Sequence, residues 1–265
     1  RNISGTRSVD GTVQVFFVSI SDILFAGLKE DSCYTGLDIG CGAGSTTRRL
    51  HESIGVHSKV TGLDISEKLL NLARAHSKSE QLRYLQADAQ SFEFKPDTFD
   101  IAVSRFGVMF FENPVKAFQN IRSAIKPGCE LRFVCWAPLA LNEFFYAPLN
   151  AVTDITGVSL DSPRKEPGPL AFSDRAYLLS ILQTAGFSSV KINTVETSIK
   201  TKDSPEKNAA LLMEIGMGFR AIKEAQPKPE LLSVIKRAFI QDGISRRKNG
   251  LISYEATIFK VTALA

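Results

Sequence analysis

Residues 34–50 read "YTGLDIGCGAGSTTRRL". Asp38 lies inside an apolar run, and Gly40, Gly42 and Gly44 alternate with the small residues Cys41 and Ala43 directly after it. Glycine removes the side chain, so the backbone N–H groups of such a loop can come within hydrogen-bond distance of a ligand. A helix beginning near Ser45 adds the positive end of its dipole, which suits a carboxylate or a phosphate. Two further apolar runs also close on acids: "KVTGLDI" (59–65) reaches Asp64 and "LRYLQAD" (82–88) reaches Asp88. A carboxylate at Asp64 can accept from both hydroxyls of a ribose, a charge-assisted pair. Asp88 can accept from the amino group of an adenine while the N–H after it, at the small Ala89, faces the ring.

These acids discriminate between nucleotide-like ligands. A nicotinamide or flavin fingerprint requires G-x-G-x-x-G or a final Ala. Counted from Gly40 the sixth position is Ser45, and counted from Gly42 it is Thr47. A pyrophosphate would also meet Asp38 as a like charge. No Gly-Lys-Ser/Thr follows, which excludes a P-loop. A ligand carrying an ammonium and a sulfonium but no phosphate instead favours Asp38. S-adenosylmethionine is such a ligand, with its carboxylate toward the helix end and its cations toward the acid.

The elements that must hold these residues follow from the hydrophobic pattern. Short apolar runs at 34–39, 59–65, 82–88, 99–105 and 130–136 predict strands. Helical patterns at 45–54, 66–77 and 113–128 alternate with them. Ser66 stands at a plausible N-cap. Asn113 and Pro114 open the third helix, and Lys126-Pro127-Gly128 is expected to end it. Strand–helix alternation makes a parallel, doubly wound sheet with helices on both faces. Ligands of such sheets sit beyond the C-terminal strand ends, where the glycine loop falls. A further helix is expected over 13–28, before the sheet. After 136 the rhythm breaks. A helical piece near "NEFFYAPLNAVTDI", a helix over 173–185, helical stretches over 205–224 and 229–242, and late strands over 189–200 and 254–265 are expected.

The sequence resembles the class I S-adenosylmethionine-dependent methyltransferases at "LDIGCGAG", "VTGLDIS", "LQADAQSFEF" and "FDIAVSRFGVMFFENPVKAFQNIRSAIKPGCELRFV". "GPLAFSD" (168–174) and the terminal "FKVTALA" look like the small-molecule, quinone C-methyltransferase-like type. Cys129 departs from the pattern where the family often carries a second glycine. The resemblance implies a Rossmann-like α/β fold: a doubly wound seven-stranded sheet, mostly parallel with an antiparallel last strand, plus helical cap insertions. It implies one methyltransferase domain over 1–265, with a cofactor-binding core at 30–136 and substrate-side insertions at 137–171 and 203–250. Residue by residue, it implies that Asp38 and the loop Gly40, Cys41, Gly42, Ala43 and Gly44 hold the methionine end. Asp64 would take the ribose diol, with Ile65 against the adenine and Asp88 and Ala89 at its edge. Ser104 would offer its carbonyl to the amine, with Arg105 and Phe106 beside the transferred methyl.

Methyl transfer from a sulfonium needs positioning and desolvation, and a base only if the acceptor must lose a proton. On the acceptor side, Phe106 and Trp136 could wall a flat or apolar molecule. Asn142 could orient it and Glu143 could act as a base. Met213, Met217 and Phe219 add apolar surface. His51, His57 and His76 lie in or near early helices and are expected to be exposed or structural. No general base is assigned. The expected partner is a small-molecule methyl acceptor. Nucleic acid is not expected, because "SRFG" stands where an Asn/Asp-Pro-Pro-aromatic motif would follow the fourth strand and because the net charge of +4 is scattered. Two other readings remain open: a nicotinamide-dependent oxidoreductase and a non-catalytic S-adenosylmethionine-binding module.

The four cysteines, Cys33, Cys41, Cys129 and Cys135, have no C-x₂-C spacing, so no metal site is expected and buried thiols in a reducing compartment fit best. No apolar run has the length of a membrane helix. The first residues lack the apolar core of a signal peptide, and a cytoplasmic location is the expectation.

Overall fold

The computed structural model describes residues 18–28, 34–55, 57–77, 79–160 and 166–265. The stretch 13–17 and Cys33 lie outside the described residues. The rest of the first expected helix is helix α1, Val18–Phe25.

Five strands build the parallel part of the sheet: β1 (Thr35–Ile39), β2 (Lys59–Asp64), β3 (Leu82–Gln86), β4 (Phe99–Arg105) and β5 (Ile125–Trp136). β6 (Ser188–Thr201), the two-residue β7 (Arg247–Lys248) and β8 (Leu251–Leu264) follow. The order is β3-β2-β1-β4-β5-β8-β6, with β7 paired to β8 off this path. Seven strands therefore form the sheet proper, and the eighth is a short hairpin arm. β1 pairs in parallel with both β2 and β4, and β8 runs antiparallel to β5. The strand order thus reverses at β1, and in sheets of this kind ligands bind beyond the C-terminal strand ends at such a switch point. β1 is buried on both faces, which explains why it reads as a continuous apolar run with a single acid.

Helices α2 (Ser45–Ile54), α3 (Glu67–Ala75) and α4 (Pro114–Ala124) connect these strands. Ser66 caps α3 by accepting from Leu69 N, and Asn113 caps α4 by accepting from Lys116 N. Ala117, Phe118, Ile121 and Ala124 form the buried stripe of α4. That helix stops at Ala124, not at the Lys-Pro-Gly turn. Asp97 N and Thr98 N donate to Ser123 O and Ala124 O, and Ile125 already pairs with Phe99. Gly128 instead marks an irregular stretch inside β5, where the register with β4 shifts between Phe99 and Ile101.

The chain divides into two compact units, each described by itself. The first comprises 20–137, 165–195 and 258–265 and holds the parallel strands and α6 (Arg175–Thr184). The second comprises 1–19, 138–164 and 196–257 and holds α5 (Glu143–Thr156), α7 (Pro205–Leu212), α8 (Gly216–Ala225) and α9 (Pro229–Arg246). The helical stretch expected over 205–224 is two helices. Residues 213–215 separate them, and the second opens on Gly216 with φ +78°. In the second unit α5 packs on α8 and α9. A Cβ on Gly218 would lie 2.7 Å from Pro148 Cβ, so this glycine sets how closely α8 approaches α5.

Candidate cofactor site

The loop after β1 takes its shape from left-handed backbone at Gly40 (φ +68°), Gly42 (φ +54°) and Gly44 (φ +78°). The three glycines do different work. A Cβ on Gly40 would stand 2.7 Å from Gly107 Cα, and one on Gly107 would stand 2.6 Å from Ile39 O. The loops after β1 and β4 therefore touch backbone to backbone. A Cβ on Gly44 would meet Tyr84 Oη at 2.7 Å and Ala73 Cβ at 2.9 Å. Only at Gly42 is there room, the nearest atom being Leu69 Cδ1 at 4.0 Å. The expected row of outward-facing amides is also modified. Gly40 N and Cys41 N donate to Leu63 O, Gly44 N donates to Cys41 O, and Gly42 N donates to Asp64 Oδ2 at 2.8 Å. These four amides are therefore engaged within the protein, and only Gly42 leaves clearance.

Asp38 is fully buried. Thr47 Oγ1 donates to its Oδ2 at 2.7 Å, while Oδ1 has no hydrogen-bond partner among the described residues. Burial pushes the Asp38 pKa up to about 7; the Thr47 bond and Arg105 oppose the rise, and Asp64 adds to it. Gly62 lies beside Asp38 in the register of β2. A Cβ there would come within 2.7 Å of Thr47 Oγ1 and 2.9 Å of Cys41 Sγ. The bare strand position keeps the Thr47–Asp38 bond possible. Neither Thr47 nor Gly62 was singled out from the sequence; the only signal was a glycine inside the apolar run of β2.

Asp64 ends β2 and is half-buried. Its Oδ2 accepts from Gly42 N and its Oδ1 from Ser66 N at 2.9 Å. Each carboxylate oxygen has a second lone pair, so these bonds orient the group without exhausting it. Ile65 follows with 66% of its surface exposed. Asp88 lies two residues beyond β3, in a turn rather than on the strand, and is exposed. Its Oδ1 accepts from Gln90 N at 2.9 Å. Ala89 is buried, and its carbonyl accepts from Asn120 Nδ2 at 2.8 Å.

At the end of β4, Ser104 is fully buried and its hydroxyl donates to Ile39 O at 2.8 Å, tying β4 to β1. Arg105 Nη1 donates to Ser21 Oγ of α1 at 2.8 Å, and Nη2 donates to Ser45 Oγ of α2 at 3.0 Å. Burial lowers its pKa, and the nearby Asp38 opposes that shift. Phe106 sits in the left-handed region (φ +69°) and stacks on Trp136, with ring centroids 4.4 Å apart and planes 7° from parallel. Non-glycine residues held there are strained and cluster at functional sites.

Asn142 and Glu143 belong to the second unit. Asn142 is fully buried; its Nδ2 donates to Pro138 O and its Oδ1 accepts from Thr257 N at 3.0 Å. Glu143 Oε2 pairs with Arg246 Nη1 at 2.5 Å and accepts from Glu255 N at 2.9 Å. Both side chains anchor their own unit. His51 bonds Ser58, His76 bonds Leu72 O, and His57 is exposed. Met217 is buried, whereas Met213 and Phe219 are half-buried. No cluster of metal-ligating side chains occurs among the described residues. The thiols of Cys41 and Cys135 are buried and their pKa values are pushed up, so they are not poised as nucleophiles. An open hollow of about 640 Å³ lies elsewhere, lined by Asp22, Phe25, Arg49 and Glu52.

Strand order and glycine loop together define the fold: a Rossmann-like, doubly wound sheet with its last strand reversed against β5. Residues 37–133 match the family model described as a methyltransferase domain. The chain is 35% identical over 102 residues to the demethylmenaquinone methyltransferase of Lactococcus lactis subsp. lactis, covering 37% of this chain and 40% of that protein. It is 24% identical over 169 residues to the demethylmenaquinone methyltransferase of Staphylococcus haemolyticus, covering 60% of this chain and 70% of that one. The match thus spans about two fifths of the first relative's length. Among solved structures, Haemonchus contortus phosphoethanolamine N-methyltransferase 2 in complex with S-adenosyl-L-methionine is similar, with a TM-score of 0.56 and 17% identity. That likeness covers 97% of this chain and 58% of the other and concerns the fold.

Proposed function

We propose that this protein is an S-adenosylmethionine-dependent methyltransferase whose acceptor is a small, partly apolar molecule. The observation that carries the reading is Asp38 Oδ1, a buried carboxylate oxygen with no donor, at the strand where the sheet order turns. Burying such an oxygen unpaired is costly, and an incoming ammonium would satisfy it. The residues present fit the cofactor: Asp38 for the methionine amine, Asp64 for the ribose diol, exposed Ile65 for a flat base, and Asp88 for the adenine edge. Asp38 also disfavours a diphosphate at the same place, which speaks against a nicotinamide coenzyme. The similar structure holds S-adenosyl-L-methionine, and the curated relatives are methyltransferases by name, which supports the same cofactor.

The cofactor supplies a methyl group on a sulfonium, whose departure leaves a neutral thioether. The chain's own part is to hold and desolvate. Asp64 is pre-aimed by the Gly42 and Ser66 amides, so little ordering remains on binding. Phe106 and Trp136 stack on each other in the buried interior at the ends of β4 and β5, so the support for an acceptor with an apolar part comes from the names of the curated relatives. No histidine stands at these strand ends, which fits an acceptor that ionises without a dedicated base. The same observation keeps a second reading in view, a module that binds the cofactor without turning it over. A small-molecule partner rather than nucleic acid, and a cytoplasmic location, go with the first reading. No described helix is long and apolar enough to cross a membrane.

Calorimetry tests the reading. S-adenosylmethionine and S-adenosylhomocysteine should bind and NADH should not; binding of NADH alone would overturn it. Methylation of any member of a quinol and phenol panel would retire the non-catalytic alternative. Methylation confined to highly charged acceptors would remove the apolar-acceptor claim.

A further inference from the structure

We propose that Gln90 and Asn120 set the base specificity of the cofactor site, by aiming Asp88 as a hydrogen-bond acceptor for a purine with an amino group at C6. This rests on the cofactor reading above and adds to it two positioning residues that act through Asp88. Three observations within one compact unit carry it. Gln90 Nε2 donates to the Asp88 carboxylate, 3.3 Å from Oδ1 and 3.2 Å from Oδ2. Gln90 Oε1 accepts from the backbone N–H of Asn113, the N-cap of α4, at 3.0 Å. Asn120, further along α4, donates through Nδ2 to Ala89 O and to Phe92 O, both at 2.8 Å.

The polarity of this chain of contacts is fixed at its helix end. A backbone N–H can only donate, so the Gln90 side chain must turn its oxygen to Asn113 and its N–H₂ to Asp88. Asp88 Oδ1 also accepts from Gln90 N at 2.9 Å. Every hydrogen bond described for the carboxylate thus comes from a donor of Gln90, and Asp88 is otherwise exposed. Its oxygens keep further lone pairs, so what the group shows an incoming base is an acceptor. An amino group at C6 is satisfied there, whereas a carbonyl oxygen at C6 is set against a like charge. Asn120 holds the turn itself, because the two hydrogens of Nδ2 are spent on the carbonyls of Ala89 and Phe92. Asn113 and Asn120 are seven residues apart, about two helical turns, so both ties leave α4 from one side. The buried stripe of α4, with Ala117, Phe118, Ile121 and Ala124, makes the helix a rigid support for the Asp88 turn.

Calorimetry on the full chain reads the ratio of two affinities. S-adenosylhomocysteine carries the amino group at C6, and S-inosylhomocysteine differs from it only in the oxo form of the base. The unaltered protein should prefer the first by about tenfold to a hundredfold, the range for a hydrogen bond to a charged group. Asp88→Asn, whose amide can turn either way, should bring the two affinities within a few fold of each other. Gln90→Ala and Asn120→Ala should each move the ratio most of the way to that value. Gln90→Glu keeps the shape but sets an acceptor against Asp88, and should lower the ratio at least as far as Gln90→Ala. Residues that served the fold alone would lower the melting temperature and leave the ratio untouched. An unchanged ratio in Gln90→Ala and Gln90→Glu overturns the role of Gln90, and an unchanged ratio in Asn120→Ala overturns that of Asn120; if Asn120→Ala does not fold, Asn120→Ser is read by the same criterion. Equal binding of both probes by the unaltered protein overturns the proposal and leaves the cofactor reading in place. Binding of neither probe sinks the cofactor reading and the proposal with it.

Discussion

Replacing Asp38 by Asn should shift the stability of the ligand-free fold in the variant's favour as pH rises, and should weaken the site. In the folded protein burial raises the Asp38 pKa to about 7, against an ordinary value of 3.8. The native state therefore holds a proton across this interval that the unfolded chain has released. Stability from this group is fullest below the unfolded pKa, falls as pH rises toward about 7, and is flat above it. At about 1.4 kcal/mol per unit, the roughly three-unit gap costs the ligand-free protein up to about 4 kcal/mol at pH 8. At pH 5 only about a third of that cost has developed. Asn removes the charge but sets an amide N–H₂ near the former Oδ1, an unpaired donor worth about 1–3 kcal/mol of penalty at every pH. The effect of the substitution should therefore shift by about 3 kcal/mol in favour of the variant between pH 5 and pH 8, whatever its absolute sign. Urea unfolding of both proteins at the two pH values measures this directly. A difference independent of pH would refute the claim that Asp38 is an uncompensated buried acid. The same variant should bind S-adenosylhomocysteine at least about tenfold more weakly, since the amine loses a charged partner.

Other outcomes follow from the same geometry. Thr47→Val strips the one hydrogen bond recorded for Asp38 and should destabilise the protein by about 1–3 kcal/mol at pH 8, read in the same unfolding assay. Gly107→Ala puts a Cβ 2.6 Å from Ile39 O, and the forced separation of the two loops should lower both thermal stability and cofactor affinity. Asp64→Ala should weaken S-adenosylhomocysteine by about ten- to a hundredfold in calorimetry, because it removes the ribose acceptor and the anchor of Gly42 together. Trp136 is the single tryptophan of the chain, so its fluorescence reports on the stack with Phe106; Phe106→Leu should change that emission in the ligand-free protein.

The centre of the sheet was legible because β1 and β4 are buried on both faces. A run such as "FDIAVSR" has few other homes, and β4 occupies those residues. Helix α2 was legible for the complementary reason: it follows the glycine loop and buries Leu50 and Ile54 on one side. The helix-to-strand boundary at Ile125 was not, because the tie that ends α4 comes from Asp97 and Thr98, more than twenty residues earlier. The break at Gly216 was hidden because glycine in a helical pattern is tolerated as often as it interrupts. The glycine loop was read correctly as a special backbone and incompletely as to purpose. A missing Cβ looks the same in sequence whether it leaves open space, as at Gly42, or makes room for Gly107 and Tyr84, as at Gly40 and Gly44. The companions of Asp38 and Arg105 were invisible for a similar reason. Thr47, Ser21 and Ser45 are ordinary residues until folding brings them to charged groups up to 84 positions away.

The central claim is that Asp38 and Asp64 grip the two ends of one cationic nucleoside at the β1–β4 crevice. A crystal structure with S-adenosylhomocysteine tests this most directly. The account predicts the ligand amine donating to Asp38 Oδ1, directly or through one water, with the ribose diol on Asp64. A ligand bound elsewhere, with Asp38 Oδ1 still unpartnered behind an unchanged glycine loop, would contradict it.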